Sequence, residues 1–254
     1  MAILLNNIII DYSDKQSIPL ANFLALGRSC GIGLHNIGVQ RVNDKPFMPE
    51  EETEHLIDTY RDAHVILEYG SGGSTRVAAD MPDKFIMSVE SDLDWARQLR
   101  RDLADAISSV IVQHVDIGEV GPWGRPLTDK SWRGYHNYPN SVWDEPWFRQ
   151  PDVVLIDGRF RTACLAAVIL RISRPVTVLF DDYGVRERYR IVERVMKPDR
   201  MIGRMAEFSV KPGAYSPSDI GFLIEQFFWM TVHGEGEEAY RLADQAEAGR
   251  GAVS

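Results

Sequence analysis

The sequence predicts an α/β fold: a doubly wound, mostly parallel Rossmann-like sheet with helices on both faces. Three observations carry this. Five apolar runs, at Val65–Leu67, Phe85–Glu90, Val110–Ile117, Asp152–Ile156 and Pro175–Phe180, have the uniform character of strands buried on both faces. Helix-forming stretches alternate with them, which favours parallel strands joined by right-handed crossovers. The first run also empties into a glycine-rich turn, Glu68-Tyr69-Gly70-Ser71-Gly72-Gly73-Ser74-Thr75, of the kind that opens a helix beneath a ligand.

Composition bounds the rest. At 254 residues, with 44% hydrophobic and 26% charged content, the chain is one decorated domain with a substantial core. Its net charge of −9 argues against nucleic acid as a partner, because phosphate binding rests on clustered Lys and Arg. Two cysteines, Cys30 and Cys164, exclude a disulfide framework and a cysteine-rich zinc site. No apolar run is long enough to cross a membrane, and Met1–Ile10 lacks the basic region and cleavage site of a signal peptide. A cytoplasmic protein without membrane contact is expected.

In chain order, residues 1–46 form an N-terminal extension of unassigned role. Ile8–Ile10 and Ile32–Val39 are short strand candidates around a helix near Pro19–Leu26, with His35 a packing or surface residue. The extension either covers one end of the domain or makes a homo-oligomer contact. Residues 47–233 form the main domain. Pro49 opens a helix reaching Arg61, whose Glu50, Glu51 and Glu52 suit its positive end and read as a solvated terminus. Arg76–Ala79 continues the helix after the glycine turn. Asp92–Ile107 is amphipathic, with Leu93, Ala96, Leu99, Leu103 and Ala106 on one face. Residues 118–151 carry four of the chain's six tryptophans without periodicity. Such an insertion is either an aromatic lid at the ligand end of the sheet or a mini-core over a sheet edge. Thr162–Leu170, Tyr189–Met196 and Ser218–Val232 read as helices, Met201–Val210 as a late strand, and 234–254 as an acidic tail.

The second strand ends in Glu90, 22 residues after Glu68, where an acid suits a ribose diol. Two ligand classes use this layout. A dinucleotide site needs glycine at the third position of G-x-G-x-x-G, where this chain has Thr75, and Glu68 sits awkwardly beside a pyrophosphate. The same acid suits a cationic amino group or a sulfonium. Glu68–Thr75 with Glu90 therefore resembles motif I and the ribose-binding acid of the class I S-adenosylmethionine (SAM) dependent methyltransferases. The resemblance implies SAM as cofactor, S-adenosylhomocysteine (SAH) as product, and cofactor contacts from Glu68, Tyr69, Gly70, Ser71, Gly72, Ser74, Thr75 and Glu90. It also implies an adenine contact at the third strand's exit, with Asp116 on the amine and Ile117 on the ring. The alternative for Asp116 is a turn cap.

Asp157-Gly158-Arg159-Phe160-Arg161 after the fourth strand and Asp181-Asp182 after the fifth bring acids and arginines to the same edge. Asp157 either serves as a cofactor contact and base for an acceptor hydroxyl, or joins Asp181 and Asp182 as oxygen ligands of a divalent metal that acidifies it. The acids are similar in placement to those of the metal-dependent catechol and caffeoyl-CoA O-methyltransferases. Ile156–Arg161 together with Glu68–Thr75 looks more like the plant glucuronoxylan O-methyltransferases and their bacterial relatives, over residues 65–182. That likeness implies methyl transfer to an oxygen of a small-molecule or carbohydrate acceptor. It implies Asp157 and Asp182 in catalysis, with Arg159 and Arg161 pairing with an acceptor carboxylate. The structural alternative is acids that cap turns and arginines in surface ion pairs. His114 and His136 are reserve bases. An NAD-dependent oxidoreductase and a SAM-binding protein without turnover are the rival functions.

Overall fold

The computed structural model describes residues 3–5, 8–10 and 45–232. The chain divides into two units, Met1–Val42 and Asn43–Ser254. In the first, β1 (Ile3–Leu5) and β2 (Ile8–Ile10) pair antiparallel, with Ile3 opposite Ile10. The expected Pro19–Leu26 helix, the Ile32–Val39 strand, His35, Cys30 and the acidic tail from Gly234 lie outside the described residues.

The second unit runs α1 (Glu50–Asp62), β3 (Val65–Tyr69), α2 (Gly73–Ala79), β4 (Phe85–Glu90), α3 (Leu93–Asp102), β5 (Ser109–His114), α4 (Asn137–Asn140), β6 (Val153–Ile156), α5 (Arg161–Arg171), β7 (Val176–Phe180), β8 (Arg200–Ile202), β9 (Met205–Val210) and α6 (Ile220–Val232). The sheet order is β5-β4-β3-β6-β7-β9-β8. Strands β3 to β7 are mutually parallel, and β9 is antiparallel to both of its neighbours. From β3 the chain steps outward to β5, then returns to lay β6 on the other side of β3. The order reverses there, and in such sheets ligands bind outside the carboxyl ends of the strands at that point.

Both sheet faces are covered. On one, α1 sets Leu56 and Tyr60 against Ile66, Ile86, Leu155 and Leu179. On the other, α5 is buried from Ala163 through Ile169 and shares its core with Tyr135, Tyr138, Val142 and Trp143 of the aromatic insertion. Much of that insertion is therefore core, while Trp123 remains 70% exposed. No described helix is long and apolar enough to cross a membrane.

Four local expectations are corrected. The single strand expected over Met201–Val210 is a hairpin, β8 and β9, turned by Gly203 at φ 53°; a turn this short joins antiparallel strands only. The helix expected over Asp92–Ile107 stops at Asp102, and Ile107 is 69% exposed. The helix expected over Tyr189–Met196 is a 3₁₀ segment, Glu187–Arg194. Glu52 is not solvated: it is 2% exposed, and its Oε1 accepts from the backbone N of Arg204 at 2.8 Å.

At the switch point the loops after β3 and β6 meet backbone to backbone. Tyr69 O accepts from both Asp157 N at 2.9 Å and Gly158 N at 2.6 Å. A Cβ on Gly158 would lie 2.7 Å from Gly70 N and would also strike Tyr138 Oη. Gly158→Ala is accordingly expected to cost about 1–3 kcal/mol through overpacking, read as a lower urea midpoint at unchanged m. A shift of less than about 0.5 kcal/mol, the surface-site norm, would show that the two loops part freely.

Candidate active site

A cavity of about 620 Å³ opens at the switch point, a size ordinary for a small-molecule site. Four strand exits wall it: the glycine loop after β3, Glu90 to Asp92 after β4, Asp157 to Arg159 after β6, and Asp181 and Asp182 after β7. A strap, Lys45–Met48, crosses it from the amino side. The strap lies so close to the start of α2 that a Cβ on Gly73 would fall onto the Lys45 carbonyl.

The glycine loop is tied from below. Gly72 N donates to Thr75 Oγ1 at 2.9 Å, and Thr75 Oγ1 donates to Glu68 Oε2 at 2.5 Å. Glu68 has no exposed surface and also accepts from Tyr60 Oη at 2.8 Å and Ser88 Oγ at 3.1 Å. Burial raises its carboxyl pKa, while the hydroxyl donors pull it back. Glu68 thus anchors the loop from beneath and does not reach the cavity. Glu90 does. Its Oε2 accepts from Ser71 N at 3.2 Å, and its Oε1 accepts from the amides of Ser91 at 2.7 Å and Asp92 at 2.9 Å. Burial raises its pKa against those amides.

Aromatic faces border the Glu90 side. Trp95 donates Nε1–H to Ser71 O at 2.8 Å and is 39% exposed. Phe47 of the strap and Trp123 of the insertion pack with centroids 5.4 Å apart and ring planes tilted by 37°, and both line the cavity. Trp123 holds φ 63°, a strained conformation for a bulky residue of the sort found at ligand sites.

The opposite side is a lattice of acids and guanidiniums. Arg161, 5% exposed, donates to Gly158 O (3.1 Å), Asp181 O (2.5 Å), Asp157 O (2.7 Å) and Asp157 Oδ1 (2.8 Å). Arg204 Nε lies 3.2 Å from both Asp181 Oδ1 and Asp182 Oδ1. Arg186 Nη2 lies 2.7 Å from Asp182 Oδ2, and Arg161 Nη1 3.4 Å from the same oxygen. Burial lowers the Arg161 pKa, but Tyr189 and the three carboxylates outweigh it and hold the guanidinium charged. Asp157 keeps 36% of its side chain open to the cavity. Burial of the remainder lifts its carboxyl to about 7; Arg161 opposes this, and Asp181 and Asp182 add to it.

Asp157, Asp181 and Asp182 are each paired with at least one guanidinium, and among the described residues no group of three or more His, Cys, Asp or Glu is arranged to hold a metal ion. The expectation that Asp157, Asp181 and Asp182 ligate a divalent cation does not fit the geometry.

No protein-family model matches the chain, and neither does any curated protein. Among solved structures, a methyltransferase-like protein from Silicibacter pomeroyi is 46% identical at a TM-score of 0.68, over 72% of this chain and 98% of that one. The chain belongs to the methyltransferase-like family that the Silicibacter pomeroyi protein represents. Looser likenesses reach a Geobacter sulfurreducens methyltransferase, 11% identical at TM-score 0.41 over 65% and 82% of the two chains. A SAM-dependent O-methyltransferase from Thermotoga maritima is 10% identical at 0.43, over 66% and 67%.

Of the residues the sequence singles out in this methyltransferase, Gly70, Ser71, Gly72, Ser74, Glu90, Asp157, Arg159, Arg161, Asp181 and Asp182 line the cavity. Glu68, Tyr69, Thr75, Asp116 and Ile117 do not. Tyr69 is fully buried, donating Oη–H to Pro139 O at 2.7 Å. Asp116 is exposed and caps a turn by accepting from Gly118 N at 2.8 Å, while Ile117 is in the core. Neither His114 nor His136 lines the cavity. Sequence reasoning missed Trp95, Arg186 and Arg204. For Trp95 a signal existed, a large apolar residue five places after the ribose-type acid. For the two arginines there was none.

The Asp157 shift has a sign that can be tested. The folded state holds this proton up to about 7, whereas the unfolded chain releases it near about 4. Between those values the native state binds more protons, so this group's contribution to stability falls as pH rises. Asp157→Asn should therefore gain in melting temperature relative to wild type between pH 5 and pH 8. A difference independent of pH would show that the carboxyl is not raised.

Proposed function

We propose that the cavity takes SAM along the glycine loop and a hydroxyl-bearing acceptor beside Asp157, and that the protein is an O-methyltransferase of small-molecule or carbohydrate acceptors. The observation that carries this reading is the convergence of Glu90, the Gly70–Ser74 loop and Asp157 on one cavity at the switch point. SAM supplies a methyl group already activated by its sulfonium. Glu90 accepts the ribose hydroxyls, exchanging part of its bonding to loop amides for them. Trp95 and Trp123 offer faces to the adenine in the place expected for Asp116 and Ile117.

Asp157 manages the proton. The acceptor oxygen bonds to the methyl carbon as the carbon–sulfur bond breaks, the electron pair stays on sulfur, and the hydroxyl proton passes to Asp157. A carboxyl poised near neutrality is well matched to that task. Arg161 orients Asp157 through its backbone and side-chain oxygens, and Asp182 holds the neighbouring guanidiniums. A nicotinamide dinucleotide is disfavoured, because the third glycine position is Thr75, whose hydroxyl is committed to Glu68.

Calorimetric titration should give binding of SAH and none of NAD; NAD binding alone, or neither, would sink the cofactor assignment. Once an acceptor is found by screening for SAH release, the rate should rise with pH through about 7, as Asp157 ionises. Asp157→Ala should abolish transfer while reducing SAH affinity only modestly. Full activity in that variant would remove Asp157 from the chemistry.

A further inference from the structure

Resting on that reading, we propose that the acceptor bears a carboxylate and that Arg186 and Arg204 receive it. Neither arginine belongs to a strand-end motif. Arg186 sits in the connection after β7, and Arg204 follows Gly203 in the β8–β9 turn. Both reach the cavity wall, with 27% and 28% of their side chains exposed against 5% for Arg161. Arg161 commits four of its five donors to three backbone carbonyls and Asp157, and its Nη1 also lies 3.4 Å from Asp182 Oδ2, so it is enclosed by partners within the protein.

The pair is preorganised. Arg186 and Arg204 form ion pairs with opposite oxygens of one carboxylate, Asp182 Oδ2 at 2.7 Å and Oδ1 at 3.2 Å, and Arg204 also donates to Asp181 through Nε at 3.2 Å and Nη2 at 3.4 Å. Arg204 is set from behind as well, because its backbone N donates to buried Glu52. Its Nη1 has no partner among the described residues. Each guanidinium has five N–H donors in a planar fork, more than these contacts use. Two fixed forks side by side match a planar carboxylate.

Charge points the same way. The chain carries −9, yet six cationic side chains face five acidic ones around this cavity. Glu90 and Asp92 stand at the end bordered by Trp95, whereas at the Asp157 end Arg159, Arg161, Arg186 and Arg204 outnumber Asp157, Asp181 and Asp182 by one. A cavity so polarised accepts a sulfonium donor and an anionic acceptor together. Direct recognition of the anion by guanidiniums stands where the sequence suggested a divalent metal.

The carboxylate could belong instead to the amino-acid end of the cofactor, and the test separates the two sources. The full-length protein, with Arg186→Gln and Arg204→Gln variants of verified unfolding midpoint, is titrated with SAH and with 5′-methylthioadenosine, which lacks that carboxylate. SAH release from SAM is then followed over a panel of hydroxy-carboxylates and their carboxamides. Turnover should be confined to the carboxylates. Each substitution should raise KM by about tenfold or more, the cost of a charge-assisted hydrogen bond, at unchanged SAH affinity. Loss of SAH affinity in the variants with 5′-methylthioadenosine binding intact would assign the pair to the cofactor and overturn the proposal. So would equal turnover of the carboxamides, or no carboxylate bound by SAH-loaded protein at millimolar concentration. Failure of the wild type to bind SAH would overturn the methyltransferase reading itself.

Discussion

The site depends on one contact, the crossing of Gly70 and Gly158. β3 and β6 are adjacent parallel strands, so their two exit loops leave the same edge side by side and must share the space above it. They share it by dispensing with side chains at the crossing and letting Tyr69 O take two amides from the other loop. Three consequences follow in order. The Asp157 side chain is left facing the cavity. Gly70, at φ 99°, turns the loop so that Ser71 N meets Glu90. Phe160, at φ 53°, swings the chain into α5 so that Arg161 folds back onto the Asp157 and Gly158 carbonyls.

Two acids in this small region, buried Glu68 and half-buried Asp157, are stabilised differently, and the difference separates scaffold from chemistry. Glu68 is surrounded by hydroxyls from α1, α2 and β4. Each donates one hydrogen bond, and together they tie three elements to one point without bringing in a compensating charge. Asp157 is surrounded by charges: one guanidinium that favours its ionised form and two carboxylates that oppose it. Removing a hydroxyl from the first network costs packing and a hydrogen bond and raises the Glu68 pKa further, whereas a charge arriving beside the second shifts Asp157 through Coulomb interaction. Of the two, only Asp157 lies on the cavity, where a ligand's arrival alters a proton's affinity.

The parallel core was legible because its evidence is local. Apolar strands, a glycine turn and an acid at the next strand tip are readable within 22 residues, and the structure places each where turn chemistry puts it. What failed to read was whatever depends on pairing across the chain. Glu52 looked solvated, since nothing in its own helix signals an Arg204 amide 152 positions away. Asp116 sits at a strand exit as expected, but the path of the insertion turns it outward and brings Trp123 to the cavity instead. Gly203 gave too weak a signal to split one late strand into a hairpin, and with the hairpin went the position of Arg204.

That hairpin also explains how the acids could suggest a metal and the structure a guanidinium lattice. A strand end that displays Asp181 and Asp182 beside Asp157 concentrates negative charge, and such a concentration must be neutralised by something. A divalent cation is one answer, available wherever the oxygens converge with room between them. Here β9 runs antiparallel beside β7 and returns Arg204 to the same edge, while the connection after β7 carries Arg186 over it. Once those side chains are in place, the carboxylate oxygens point at nitrogen, and their geometry suits planar forks rather than a point charge. Residue types at strand tips state that charge must be balanced there. Which ion balances it is decided by the elements that pack beside those tips, and in this chain they are arginine-bearing.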